Sequence, residues 1–319
     1  MSNINIHQFE VFLAASETLN FTKAAHRLQI TQPSVSQHIH SLEEHFGLAL
    51  FSRSGRNIEL TAGGMALVPL AREMVYLANH TEETMASLKG NVYGHLVVGC
   101  STPTGRYILP KLLASFHRHY PQVRATCHVT TQKESLEMLS EGKVNLALAS
   151  NLDLFKEMEF KQFISEDVIL IVNPDHPWAK RGTISPKDFD QADFILPQEG
   201  TDIHFSIREA LSGIGVSIFE LETIMILGSL EAIALSVQEG LGVGFVPRML
   251  MQRLVPDKVV EVKVKGLRMN REIFVCRNTR RPATTAQNAF WEFITAIKLQ
   301  NFEQLSSENL DSLFVSTKG

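Results

Sequence analysis

Between Asn20 and Gly47 the chain reads NFTKAAHRLQITQPSVSQHIHSLEEHFG. Its second half carries polar side chains at helical spacing: Pro33, Gln37, His40 and Glu44 fall on one side, flanked by Ser36 and Ser41. Val35, Ile39, Leu42 and Phe46 recur at i, i+4, i+7 and i+11 on the other side. Amides, hydroxyls and an imidazole along a helix with a slim leading end supply donors and acceptors that match base edges in a DNA major groove. Such a set does not make or break bonds. The chain has no Gly-x-Ser-x-Gly elbow and no His-Glu-x-x-His pair. His38 and His40, like His117 and His119, are two residues apart, a spacing that does not share a helix face. No enzyme is expected.

The elements around this stretch must position it. Thr22 is placed to cap a first short helix whose apolar face is Ala24, Ala25 and Leu28, with the break at Gln29-Ile30. Pro33 sets the start of the second helix, because proline is tolerated in a first turn and disfavours helix at Gln32. Ile6, Phe9, Val11, Phe12 and Leu13 predict a preceding helix over about 6–16. After Gly47, Leu50-Phe51 and Ile58-Leu60 predict a short hairpin. Arg53 and Arg56 flank its Ser54-Gly55 turn, where guanidiniums would lie over phosphates or a narrow minor groove. Pattern alone also fits an ordinary surface helix and solvated surface cations.

At 319 residues, with 44% hydrophobic side chains, the chain is long enough for about two domains with packed cores. The net charge of −4 does not advertise nucleic-acid binding, so the placement of a few cations would have to matter. No apolar run spans a bilayer and no export signal opens the chain, which points to the cytoplasm. Cys100, Cys127 and Cys276 are widely spaced, suggest no metal-ligand pair, and read as buried structural thiols of a reducing compartment. No cofactor is expected.

From Thr61 the pattern changes. Leu67, Ala71, Met74, Ala78, Thr81, Met85 and Leu88 alternate steps of four and three, a heptad seam over about three repeats, with Pro69 marking a possible bend. A turn is expected at 90–94. Residues 91–300 then alternate strands and helices, an α/β pattern with largely parallel sheets. Strands are predicted near 96–99, 123–129, 144–149, 168–172, 194–196, 219–222, 243–246 and 272–276. The run Gly240-Leu241-Gly242-Val243-Gly244 lies between helix and strand, the wrong order for a phosphate-binding loop.

Phe21-Thr22-Lys23-Ala24-Ala25, Thr31-Gln32-Pro33-Ser34-Val35-Ser36, Leu42-Glu43, Leu50-Phe51, Arg53, Arg56 and Leu60-Thr61 together resemble the winged helix-turn-helix of LysR-type transcriptional regulators. The resemblance implies an N-terminal winged helix-turn-helix (1–61), a linker dimerisation helix (62–90) and a two-lobed α/β effector-binding domain of periplasmic-binding-protein type (91–300), followed by a tail (301–319). Lobe one would be 91–164 with 269–300, and lobe two 165–268. DNA contacts are expected at Thr22, Thr31, Gln32, Pro33, Ser34, Ser36, Gln37, His40, Arg53 and Arg56, although the family often has basic residues where Gln37 and His40 stand here, a departure that implies weaker phosphate anchoring. The effector contacts that the resemblance implies are Ser101, Thr102, Thr104, Thr131, Gln132, Ser150, Gly200, Thr201 and Phe245. Hydroxyls at strand-to-helix turns, beside free backbone N–H groups, suit a small anionic metabolite. Double-stranded promoter DNA, RNA polymerase and a second copy of the chain, assembled as a dimer of dimers, are the implied partners, with no membrane. A solute-capture protein would share the second half but has no use for the head or the heptad.

Overall fold

The computed structural model describes residues 4–54, 57–88, 92–150 and 157–297. The chain divides into two compact units, Met1–Gly94 with Ala283–Thr285, and the remainder.

In the first unit, helices α1 (Ile6–Thr18), α2 (Phe21–Leu28) and α3 (Gln32–Phe46) precede a hairpin of β1 (Phe51–Ser54) and β2 (Asn57–Leu60) and a long helix α4 (Ala62–Ser87). Asn5 and Gln8 form a capping box at α1. Asn20, not Thr22, caps α2: its Oδ1 accepts the N–H groups of Thr22 and Lys23 at 3.0 Å, and Thr22 already lies in the first turn. Gln29, at φ 56°, closes α2 in the left-handed region, and Thr31 Oγ1 accepts Ser34 N–H to open α3. Gly47, at φ +65°, ends α3 where a side chain would be strained. Phe9, Phe12, Ala24, Ala25, Val35, Ile39, Leu42 and Leu50 bury one shared core.

Pro69 lies inside α4 without interrupting it, so the expected bend is not a break in the helix. The seam also differs from expectation. Leu67 and Ala71 pack into the head core, and the large apolar side chains left exposed along α4 and its C-cap are Met65, Leu70, Met74, Leu77, Met85 and Leu88. The head claims the first turns of α4, so the free stripe is rotated from Ala71 to Leu70 and from Ala78 to Leu77.

The second unit contains β3 (Gly94–Ser101), a π-helical turn (Thr104–Ile108), α5 (Leu109–His119), β4 (Val123–Thr130), α6 (Gln132–Ser140), β5 (Leu146–Ala149) and β6 (Met158–Val172). It continues with α7 (Pro177–Arg181), β7 (Thr183–Ile184), β8 (Phe194–Pro197), α8 (Asp202–Ser212), β9 (Thr223–Leu227), α9 (Leu230–Gln238), β10 (Val243–Pro247) and α10 (Arg248–Leu254). The last elements are β11 (Val260–Val264), β12 (Asn270–Asn278) and α11 (Thr285–Ala296). The strands line up as β4-β3-β5-β12-β6-β10-β8-β9, with β11 and β7 to the side.

The expected parallel sheet is in fact mixed. Pairs β3–β5, β8–β9 and β8–β10 are parallel, but β12 runs antiparallel to β5 and β6, and β6 antiparallel to β10 and β11. The cause is β6, which starts ten residues before the expected 168–172 strand. Met158–Asp167 pairs with β12 in one lobe, and Val168–Val172 pairs with β10 and β11 in the other. The chain leaves lobe one through β6 and returns through β12. The strand expected at 219–222 is instead a 3-10 turn at Ile218–Glu220, with β9 following it. The 301–319 tail and residues 90 and 91 of the expected 90–94 turn lie outside the described residues, and Gly94 already opens β3. Among the described residues no helix is long and apolar enough to cross a membrane.

Candidate DNA-reading surface and effector cleft

Helix α3 shows Gln32, Pro33, Gln37 and His40 to solvent, while Val35, Ile39 and Leu42 are fully packed beneath. Thr22 and Thr31 are exposed beside it; Ser34 and Ser36 are half-buried. Gln32 Nε2 donates to Ser36 Oγ at 2.8 Å, a bond within one helical face that a base edge can replace. His40 Nε2 lies 3.3 Å from Glu44 Oε1, one turn along the same face. Arg53 sits on β1 at the turn; its side chain and all of Arg56 lie outside the described residues.

Two part-buried anchors hold α3. Gln8 of α1 donates to Ser41 Oγ at 3.0 Å. Glu43 Oε1 accepts the backbone N–H groups of Leu50 and Phe51, at 2.8 and 3.2 Å, and so ties the end of α3 to the start of the hairpin.

In the second unit Ser150, just after β5, meets the first turn of α8. Ser101 Oγ and Thr104 Oγ1 are 3.3 Å apart and both buried, whereas Thr102 is exposed. Thr131 caps α6, and Gln132 Oε1 accepts the backbone N–H (2.7 Å) and hydroxyl (2.9 Å) of Ser150. The same Ser150 hydroxyl is 3.2 Å from Asp202 Oδ2 at the first turn of α8. Thr201 caps α8, and Gly200, at φ +84°, turns the chain into it. Phe245 is apart from this group. Fully buried, it stacks on Phe194 in the lobe-two core and does not present its ring to the cleft.

A charged centre lies below. Arg271 of β12, 2% exposed, donates to Asp202 at 2.7 Å and to Glu166 of β6 at 2.6 Å. Burial pushes the Glu166 carboxyl up, against the pull of Arg271. A second link between the lobes joins Arg106 (2.5 Å) and Tyr107 (3.1 Å) to Glu231 of α9. Burial opposes ionisation of Glu231, but Ser229, Arg106 and Tyr107 together hold it below the usual carboxylate range. A cavity of about 1000 Å³ opens elsewhere, over β6 and β11. None of the strand-end residues lines it, and its Arg248 is already held by Asp167 and Glu261. Among the described residues no group of histidines, cysteines and carboxylates could hold a metal.

Residues 6–65 match the family model of the bacterial regulatory helix-turn-helix protein, lysR family, and residues 89–297 match that of the LysR substrate binding domain. The chain belongs to the LysR family. It is a DNA-binding transcriptional regulator with an effector-binding domain, not an enzyme. An uncharacterized HTH-type transcriptional regulator of Methanocaldococcus jannaschii is 31% identical over 92% of this chain and 99% of its own. A protein of Cyanidium caldarium named "Probable RuBisCO transcriptional regulator" is 30% identical over 85% of this chain and 87% of its own. The crystal structure of full-length CbnR complexed with its target DNA superposes with a TM-score of 0.64 at 22% identity, covering 91% of this chain and 98% of that one.

In this LysR regulator the sequence pattern missed Asp202, Arg271 and Glu166. A signal was present. Arg271 shares the alternating stripe of Ile273 and Val275, and Glu166 that of Ile164 and Val168, so each is a charge on the apolar face of a strand. Such a charge needs a partner.

Proposed function

We propose that this LysR regulator reads promoter DNA through the leading end of α3. Gln32, Ser36, Gln37 and His40 would meet base edges, Thr22, Thr31, Pro33 and Ser34 would line the approach, and Arg53 and Arg56 would meet phosphates. The observation that carries this reading is the division of α3 into a fully packed apolar face and a solvent-facing amide-rich face. The exposed Leu70, Met74, Leu77, Met85 and Leu88 of α4 support pairing of two copies through 62–90, and two-fold related heads read half-sites about one helical turn, or a multiple, apart. A dimer of dimers and contact with RNA polymerase complete the reading.

The effector is a small anionic metabolite that enters between lobe one (91–164, 269–300) and lobe two (165–268). It meets Ser101, Thr102, Thr104, Thr131, Gln132, Ser150, Gly200 and Thr201. Asp202 and Glu231 are carboxylates of lobe two already held by lobe-one donors, so the effector competes with them for Ser150 and Arg106. It shifts the balance between lobe arrangements only by its difference in affinity for them. The name of the Cyanidium relative makes carbon-fixation promoters and metabolites the first to test.

Promoter-fragment retention at low salt, lost as salt rises, tests DNA binding. Gln32→Ala is expected to flatten the preference for specific over random DNA, while Arg53→Ala weakens both alike. Uniform loss in Gln32→Ala overturns the assignment of base reading to Gln32. Thermal-shift screening of small carboxylates and phosphates on the full chain tests the effector class.

A further inference from the structure

The three thiols are far apart in sequence but not in space. Cys100 lies near the end of β3 and Cys127 in the neighbouring strand β4, and their sulfurs are 3.5 Å apart. Cys100 is fully buried beneath the π-helical turn; a Cβ placed on Gly105 would come within 2.9 Å of its Sγ. Cys127 is only partly covered. It shares a strand face with Val129, which is exposed at the sheet edge. A reagent in solvent therefore reaches Cys127 before Cys100. Neighbouring strands lie about 4.8 Å apart, inside the Cα spacing that a disulfide spans. Closing the pair needs the sulfurs to approach from 3.5 Å to about 2.05 Å, a movement that side-chain rotation supplies.

We infer that Cys127 and Cys100 form a redox-responsive pair, in which a hydroperoxide oxidises Cys127 and Cys100 resolves it to an intramolecular disulfide. The hydrogen bond from the Cys100 thiol holds Cys127 below the usual thiol range, against the opposing effect of burial. The same bond, with burial, pushes Cys100 up. Of the two, Cys127 therefore ionises more readily and Cys100 holds its proton more tightly.

In the first step the Cys127 sulfur attacks a peroxide oxygen. The O–O bond breaks, and the departing oxygen leaves as alcohol or water after taking a proton, giving a Cys127 sulfenic acid. In the second step the Cys100 sulfur attacks that of Cys127. The S–O bond breaks, and the hydroxide leaves as water with the Cys100 proton. Two thiols and one hydroperoxide become one disulfide, one water and one alcohol (or a second water), with two electrons passing from sulfur to oxygen.

The bridge would clamp the two strands that run into Ser101-Thr102 and Thr130-Thr131. Its effect on ligand binding rests on the effector-cleft reading; the thiol chemistry does not. Cys276, buried between β5 and β6 with its thiol pushed up by burial, is an internal control.

The test treats the full-length protein with hydrogen peroxide, blocks free thiols with N-ethylmaleimide in denaturant and maps peptides by mass. The expected result is paired loss of the Cys100 and Cys127 thiols, a linked peptide reversed by dithiothreitol, and a free Cys276. Cys100→Ser should leave a Cys127 sulfenic acid that dimedone traps, and Cys127→Ser should slow peroxide consumption about tenfold or more. Oxidation of Cys276 as fast as Cys127, disulfides only between chains, or no linked peptide in the wild type each overturns the proposal. The wild-type map decides even if a serine variant does not fold. A linked peptide that leaves metabolite-induced thermal shifts unchanged refutes the coupling to the cleft and leaves the thiol pair standing.

Discussion

Arg271, on β12, holds Asp202, on the first turn of α8, at 2.7 Å, with a second carboxylate, Glu166, at 2.6 Å on its other side. One guanidinium is thus shared between the lobe crossing and the helix start expected to receive an effector. Its Nε and the Glu166 Oε1 have no hydrogen-bond partner, so the centre is tightly packed but incompletely satisfied.

Removing the cation should leave two carboxylates stranded. Arg271→Met is expected to cost about 3–5 kcal/mol, because breaking a buried pair exposes the desolvation that the partner was offsetting. Urea denaturation of the full chain, following the second unit, measures it. A loss below about 1 kcal/mol would mean that water or a rearranged side chain replaces the guanidinium.

Glu166 gives a pH signature. Its folded value is raised, so the folded state holds the proton more tightly than the unfolded chain does. Wild-type stability therefore declines as pH rises from the unfolded glutamate range, about 4.3, through the folded value. Glu166→Gln lacks this decline. The variant-minus-wild-type difference in urea midpoint should increase with pH and then level off; a flat difference contradicts the direction of the shift.

Glu43 should matter to the head as a whole. Its carboxylate serves two backbone N–H groups, and Glu43→Ala is expected to cost about 2–3 kcal/mol and to weaken DNA retention by loosening the hairpin against α3. Glu43→Gln, which keeps an acceptor oxygen, should recover part of both. Thermal melts and gel retention check the pair.

Two adjacent glycines in α4 should respond unequally. A Cβ on Gly64 would lie 2.2 Å from the Leu50 carbonyl oxygen, and Gly64→Ala is expected to destabilise by about 1–3 kcal/mol. At Gly63 the nearest atom is 3.3 Å away, so Gly63→Ala should be close to neutral, with helix propensity offsetting the tight contact. Differential scanning calorimetry separates them.

The head was readable because its signals are local. The 3.6-residue period and the proline at position 33 act within a few turns; Val35, Ile39 and Leu42 are buried as expected, whereas Phe46, the last member of the stripe, is exposed at the helix end. The Asn20 cap was missed because Asn20 and Thr22 are both competent and only geometry chooses. The α/β alternation was visible, but the mixed sheet was not. A strand that serves two lobes reads as two short strands or one, and only the partners of Met158–Val172 decide. The charged centre was harder still, since Arg271 meets partners 69 and 105 residues away. Phe245 shows the converse error: a strand end is a good address for a ligand contact, yet side-chain alternation turned this ring inward.

The two passages between the lobes are bound to each other as well as to the lobes. Asp167 pairs with Asn270, Glu166 with Arg271, and Val168 N–H donates to the Met269 carbonyl at 2.9 Å. A laced ribbon of this kind yields to torsion far more readily than to being prised open. A molecule settling among the strand ends would therefore act as a wrench on a twisted band, and what travels outward is a small angle rather than a gap.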